Sequence, residues 1–167
     1  MKRSYIMAPT KTIIRNVTVN YSKVYEAVDK KFDNSKEPAK EFDIQLEFDK
    51  SRINEMNQFG NPRPLPNGNL AINIKRNEVN RDGKTQSIRV VDINKEPFTK
   101  PIGNGSTASL IVLTYDEPRA KVQANPGRKT ILMAVQILNH VEYTPESTVD
   151  FDVVDGTATA TQPSMDF

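Results

Sequence analysis

Residues able to make or break bonds are scarce in this chain. It contains no Cys, which removes thiolate nucleophiles, disulfides and thiolate-ligated metals. Its one His, His140, ends an apolar run, where a hydrogen-bonded structural imidazole is expected rather than a general base. Asp150, Asp152 and Asp155 are spaced carboxylates, but the Gly and final Glu of a calcium loop are missing. Gly103-Asn104-Gly105-Ser106 is neither a full phosphate loop nor a nucleophile elbow. The expectation is a protein that is not an enzyme and uses no metal or cofactor.

What the sequence does supply is non-covalent chemistry for a polyanion. The net charge of +2 hides a division: residues 1–129 hold all 23 Lys and Arg and 15 of the 21 acids, a net +8, and residues 130–167 hold the other six acids, a net −6. A basic body with an acidic end suits nucleic-acid binding with a self-competing or partner-recruiting tail. A single strand is held by cations that track phosphates and by aromatic faces that stack on bases. The candidate phosphate contacts are Lys31, Arg63, Lys75, Arg76, Arg81, Lys84, Arg89, Arg119, Lys121, Arg128 and Lys129. The aromatics outside obvious core positions are Tyr21, Tyr25, Phe32, Phe59, Phe98, Tyr115 and Tyr143. Tyr25 and Phe32 lie among Lys23, Lys30 and Lys31, and Phe59 lies near Arg52 and Arg63, so these three lead, with Tyr21 beside them.

These side chains need a scaffold, and the punctuation of the chain points to β-structure. Eleven Pro and seven Gly break it into short runs. Thr107–Tyr115 and Thr130–Val141 are apolar and β-branched, with apolar residues on both alternating faces, as expected of strands buried on two sides. Asn104-Gly105 launches the first of them as a turn in which both residues tolerate positive φ. Glu41–Asp49 alternates cleanly, placing Phe42, Ile44, Leu46 and Phe48 inward and leaving one wet face. Further strands are expected over 12–21, 69–75 and 86–93, with 21–25 continuing the first or bending away. Ser51–Phe59 suits one or two helical turns, and Asn61–Gly68, with three prolines, reads as a surface loop without regular structure. About six strands and one short helix suggest a small barrel or sandwich.

Three segments follow: a flexible basic leader over 1–11, a folded body over 12–146 and an acidic tail over 147–167. The tail spaces its few apolar residues with acids and is expected to be disordered in isolation. Apolar runs fall far short of the roughly 20 residues that span a bilayer, and Met1–Met7 has no long apolar stretch, so neither a membrane partner nor a signal peptide is expected.

The ordered set Tyr21-x-x-Val24-Tyr25-Glu26, Phe42-x-Ile44-x-Leu46-x-Phe48-Asp49-Lys50, Val90-Val91-Asp92, Ile102-Gly-Asn-Gly-Ser106 and Ala134-Val-Gln-Ile-Leu138 resembles the single-stranded DNA-binding proteins of tailed phages, of the gene 2.5 type. The resemblance spans about residues 12–145. It implies an all-β OB-fold, a five-stranded barrel whose groove takes single strands, in a monomer or homodimer within the cytoplasm of an infected bacterial host. It also implies an acidic tail with a terminal Phe that recruits polymerase, helicase or nuclease partners in replication and recombination. Asp150, Asp152, Asp155, Asp166 and Phe167 fill that pattern. The rival reading is a structural virion β-barrel, a decoration or tail-associated protein.

Overall fold

The computed structural model describes residues 8–30, 35 and 39–142. Seven strands form one curled sheet: β1 (Thr10–Asp29), β2 (Lys40–Phe48), β3 (Arg63–Pro64), β4 (Leu70–Asn77), β5 (Arg89–Val91), β6 (Ser106–Asp116) and β7 (Arg128–Asn139). The order is β3-β4-β2-β1-β6-β7-β5, and β4 also pairs in parallel with β7 through Lys75 and Ile131. That pairing closes β1, β2, β4, β7 and β6 into a five-stranded barrel of the OB-fold, with β3 and β5 as short additions.

Closure depends on β1, a 20-residue strand that pairs with β6 through its first half and with β2 through its second. A straight strand cannot serve both neighbours around a small barrel. β1 bends where the register slips, between Ile14 and Val17 against β6 and between Asn20 and Lys23 against β2. Asn16 (φ 50°) and Tyr21 (φ 48°) lie at these bulges in the left-handed region. The chain past Tyr21 therefore continues the strand and bends as well.

The barrel interior follows the period of two. Ile44 and Leu46 of β2, Ala108, Leu110 and Val112 of β6, and Leu132 of β7 are fully buried. β6 and β7 depart from the expectation of burial on both faces. Their outward residues Ile111, Leu113 and Ile131 are only half-buried, because a closed barrel has one interior and no second layer covers this side. A 3-10 turn (Lys50–Arg52) and helix α1 (Ile53–Met56) follow β2, started by the Asp49 carboxylate, which accepts from the Ser51 amide at 2.8 Å. They deliver Met56 and Phe59 into the barrel core.

The proline-rich 61–68 segment is not wholly irregular. Arg63 and Pro64 pair with Ala71 and Leu70 as a two-residue edge strand, a place where the donor missing from proline is tolerated. The Gln86–Ile93 expectation contracts to the three residues of β5. The leader before residue 8 and the tail expected over 147–167 lie outside the described residues.

Candidate nucleic-acid interface

Where β4 and β7 meet, the outer surface holds an open groove of about 420 Å³. Lys30, Lys75, Arg76, Arg81 and Lys129 line it, with Glu41 as its acid and Tyr115, Leu113 and Ile131 as its apolar floor. Each element contributes through its alternation. Lys75 points outward between the buried Ile74 and the half-buried Arg76 of β4, and Tyr115 and Lys129 face each other across the β6–β7 ladder. Arg81 comes from the turn after β4 and Lys30 from the end of β1.

The cations are not equally free. Lys75 Nζ is 3.2 Å from Glu41 Oε2, a half-exposed ion pair that neutralises part of its charge. Arg76 donates through Nη2 to Gln86 Oε1 at 2.6 Å, and its buried Nε has no hydrogen-bond partner. Burial holds this guanidinium below its ordinary range. A guanidinium held on one side by Gln86 and Ser87 and lining the groove suits an anionic oxygen. Burial, then the nearby Glu117, raises the Tyr115 phenol, and the nearby Arg81 opposes the shift. Tyr115 therefore stays neutral at physiological pH and presents a half-buried ring among cations.

A second surface lies on the far half of β1. Tyr21 (64% exposed) and Tyr25 (46%) flank Lys23, and the intervening Val24 is buried. The Tyr25 hydroxyl donates to the carbonyls of Phe98 and Lys100, each at 2.9 Å. Desolvation pushes its pKa up to about 12. Behind it Phe98 meets His140 edge-on with centroids 5.0 Å apart, and His140 Nε2 lies 2.8 Å from the Pro101 carbonyl. His140 thus has a structural partner.

The sequence-derived candidates divide accordingly. Lys75, Arg76, Arg81 and Lys129 come together in the groove, and Tyr21 and Tyr25 form the strip. Arg89 sits instead in another outward groove with Arg15 and Lys95. Arg63 lies exposed on β3, and Arg119 and Lys121 on the β6–β7 loop, where Arg119 pairs with Glu117 at 3.2 Å. Two candidates need correcting. Phe59 is 5% exposed in the core, so no base can reach its face. Arg128 is occupied by the fold: it binds Asp116 Oδ1 at 2.6 Å and the Thr114 carbonyl at 3.3 Å. Lys31, Phe32, Tyr143 and the tail residues Asp150, Asp152, Asp155, Asp166 and Phe167 lie outside the described residues. Tyr115, named among the candidate aromatics but not among the leading ones, is the aromatic that the groove holds. Alternation with the buried Val112 and Thr114, just before the basic loop, is the signal that finds it.

An OB-fold barrel with a cationic, aromatic groove is the class that fold and site define. Among solved structures the chain is similar to gp2.5, a single-stranded DNA-binding protein encoded by bacteriophage T7, with TM-score 0.57 and 14% identity over 92% of this chain and 100% of that one. It is also similar to the single-stranded DNA-binding protein of bacteriophage Enc34 in complex with single-stranded DNA, with TM-score 0.53 and 12% identity over 81% of this chain and 89% of that one. At these identities the likeness is one of fold. No protein-family model and no curated protein sequence matches the chain.

Proposed function

We propose that this protein binds single-stranded DNA without strong sequence preference, in phage replication and recombination. The observation that carries the reading is the convergence of five cations and Tyr115 in one groove of an OB-fold barrel. Cations on β-scaffold loops follow a phosphate chain, and exposed tyrosine rings accept any base. The host cytoplasm is the setting this role requires, and the function is coating and hand-over of a strand, with no covalent step.

The acidic end is assigned two linked tasks. Its carboxylates at 150, 152, 155 and 166 compete with DNA for the cations of the body, and once displaced they and Phe167 recruit replication enzymes. The support is the division of +8 and −6 along the chain. Deletion of residues 147–167 is then expected to tighten DNA binding, more at low salt than at high; equal affinities with and without the tail sink this part.

The test of the main reading is fluorescence anisotropy with labelled oligo-dT and a matched duplex at two salt concentrations. Salt-sensitive binding to dT with weak duplex binding is the expected result. Binding that requires duplex or particles would favour the structural virion reading instead.

A further inference from the structure

Tyr21 stands out in the backbone. Positive φ is uncommon for any non-glycine residue and is a true outlier for a bulky ring, and such outliers persist only where neighbours over-determine them. Here the neighbours are identifiable. The Tyr21 amide donates to Asn104 Oδ1 at 2.8 Å, and the Gly105 amide donates to Asn20 Oδ1 at 3.0 Å. Two consecutive residues of the bulge and two of the distant turn thus exchange side-chain-to-backbone bonds in both directions. Asn20 is itself fixed, because its Nδ2 donates to Gln45 Oε1 at 3.0 Å and to Glu47 Oε1 at 2.8 Å on β2.

The turn does not need Asn104 for its own shape. Ser106 N donates to the Gly103 carbonyl at 3.3 Å, and the left-handed position of the turn is Gly105 (φ 93°), whereas Asn104 has no positive φ. Of the two residues that tolerate positive φ, the turn uses it at Gly105 alone. The Asn104 side chain is free for another role, and what it holds is, among the described residues, the one exposed aromatic with a positive φ.

We propose that Asn104 is a positioning residue that fixes the Tyr21 bulge so that the ring stands outward as a base-stacking platform. This rests on the single-strand reading above and adds the Asn104–Gly105 turn as the support of Tyr21. The bulge holds the ring in its outward direction before DNA arrives, so little ordering remains to be done on binding.

The test uses the full chain with Tyr21→Ala, Asn104→Ala, Asn104→Asp and the double Tyr21→Ala/Asn104→Ala. Each is titrated with a dT oligomer and with an abasic oligomer of the same length. The ratio of the two affinities reports stacking and cancels charge effects common to both. Tyr21→Ala and Asn104→Ala are each expected to lower the ratio about tenfold, the size of one lost base stack. The double variant is expected to match Tyr21→Ala, and Asn104→Asp, whose carboxylate still accepts the Tyr21 amide, to retain the ratio. An unchanged ratio in Tyr21→Ala overturns the inference. So do losses that multiply in the double variant, or an Asn104→Ala defect equal on both oligomers. Failure of the wild-type chain to bind dT at all overturns the single-strand reading itself, and the two failures are distinguished by that control.

Discussion

The salt dependence of binding can be worked from the groove. Five cations line it, and Lys75 is already paired with Glu41, which leaves four to replace counterions on a bound strand. Each phosphate neutralised on a single strand contributes about −0.7 to the slope of log affinity against log salt, so the expected slope is about −3. Raising salt from about 50 to about 200 mM should then cut dT affinity about 50-fold. The variants carry the structural content. Lys129→Ala removes one free groove cation and should reduce the slope to about −2. Glu41→Gln releases Lys75 and should steepen it to about −3.5. Arg119→Ala should leave it unchanged, because Arg119 lies in the β6–β7 loop and is paired with Glu117. Anisotropy titrations at four salt concentrations measure all four slopes. A flat dependence in the wild type, or equal changes for Lys129→Ala and Arg119→Ala, would refute the assignment of this groove.

Phe59→Ala should destabilise the fold by about 3–5 kcal/mol, read as a lowered melting temperature, with dT affinity intact well below that temperature; an affinity loss without destabilisation would restore Phe59 to the surface. Gly103→Ala should cost about 1–3 kcal/mol in denaturant unfolding, because overpacking is forced where the new Cβ would lie 2.5 Å from the Val141 carbonyl oxygen; an unchanged midpoint would show that the turn can shift. Burial raises the folded pKa of Tyr25 to about 12, above the ordinary tyrosine range, so its contribution is complete below about pH 10 and is lost as pH rises from about 10 to about 12. Alkaline unfolding of the wild type against Tyr25→Phe, with tyrosinate absorbance, should show a smaller loss in the variant, where the raised Tyr115 phenol still contributes; identical alkaline profiles would sink it.

Much of the barrel is legible in the sequence where one face is polar. β2 reads correctly because Phe42, Ile44, Leu46 and Phe48 alternate with Glu41, Asp43, Gln45 and Glu47; the expected wet face is in fact half-buried, with Gln45 buried, and the polarity of these side chains supplies the contrast. β6 and β7 read correctly as strands and wrongly as two-sided, because half-burial against a groove calls for the same residue types as full burial. The length of β1 is hidden for a different reason. Its alternation breaks at Asn16 and Tyr21, and the contacts that hold the second bulge, at Asn104 and Gly105, are more than 80 residues away in sequence. Lys129 and Arg128 are adjacent cations of opposite fate, separated by which face of β7 each occupies and by Asp116 directly across the ladder from Arg128. Phe59 carried a signal in its spacing: three residues after Met56, it shares that residue's side of a helical turn.

The location of the groove follows from how the barrel closes. The outward side of β2 offers a phosphate chain nothing: Glu47 accepts from Asn20, Asn67 and Asn69, and Asp43 accepts from Asn73. These bonds hold the Glu47 carboxyl below its usual range, with Asn69 first, so it remains a charge that repels anions. The β4–β7 seam differs in kind. Parallel closure at Lys75 and Ile131 joins two strands that have no hairpin between them, and the residues beside that contact face open space. Into that space come an end of β1, the turn after β4 and the β6–β7 ladder, each bringing a cation. A barrel closed this way gathers charge at its seam from elements distant in the chain, and the strain in β1 that allows closure also sets Tyr21 outward on the same strand whose end supplies Lys30. On the proposed single-strand reading, phosphate and base recognition would be linked through one strand, and both would depend on the bulges that let it bend.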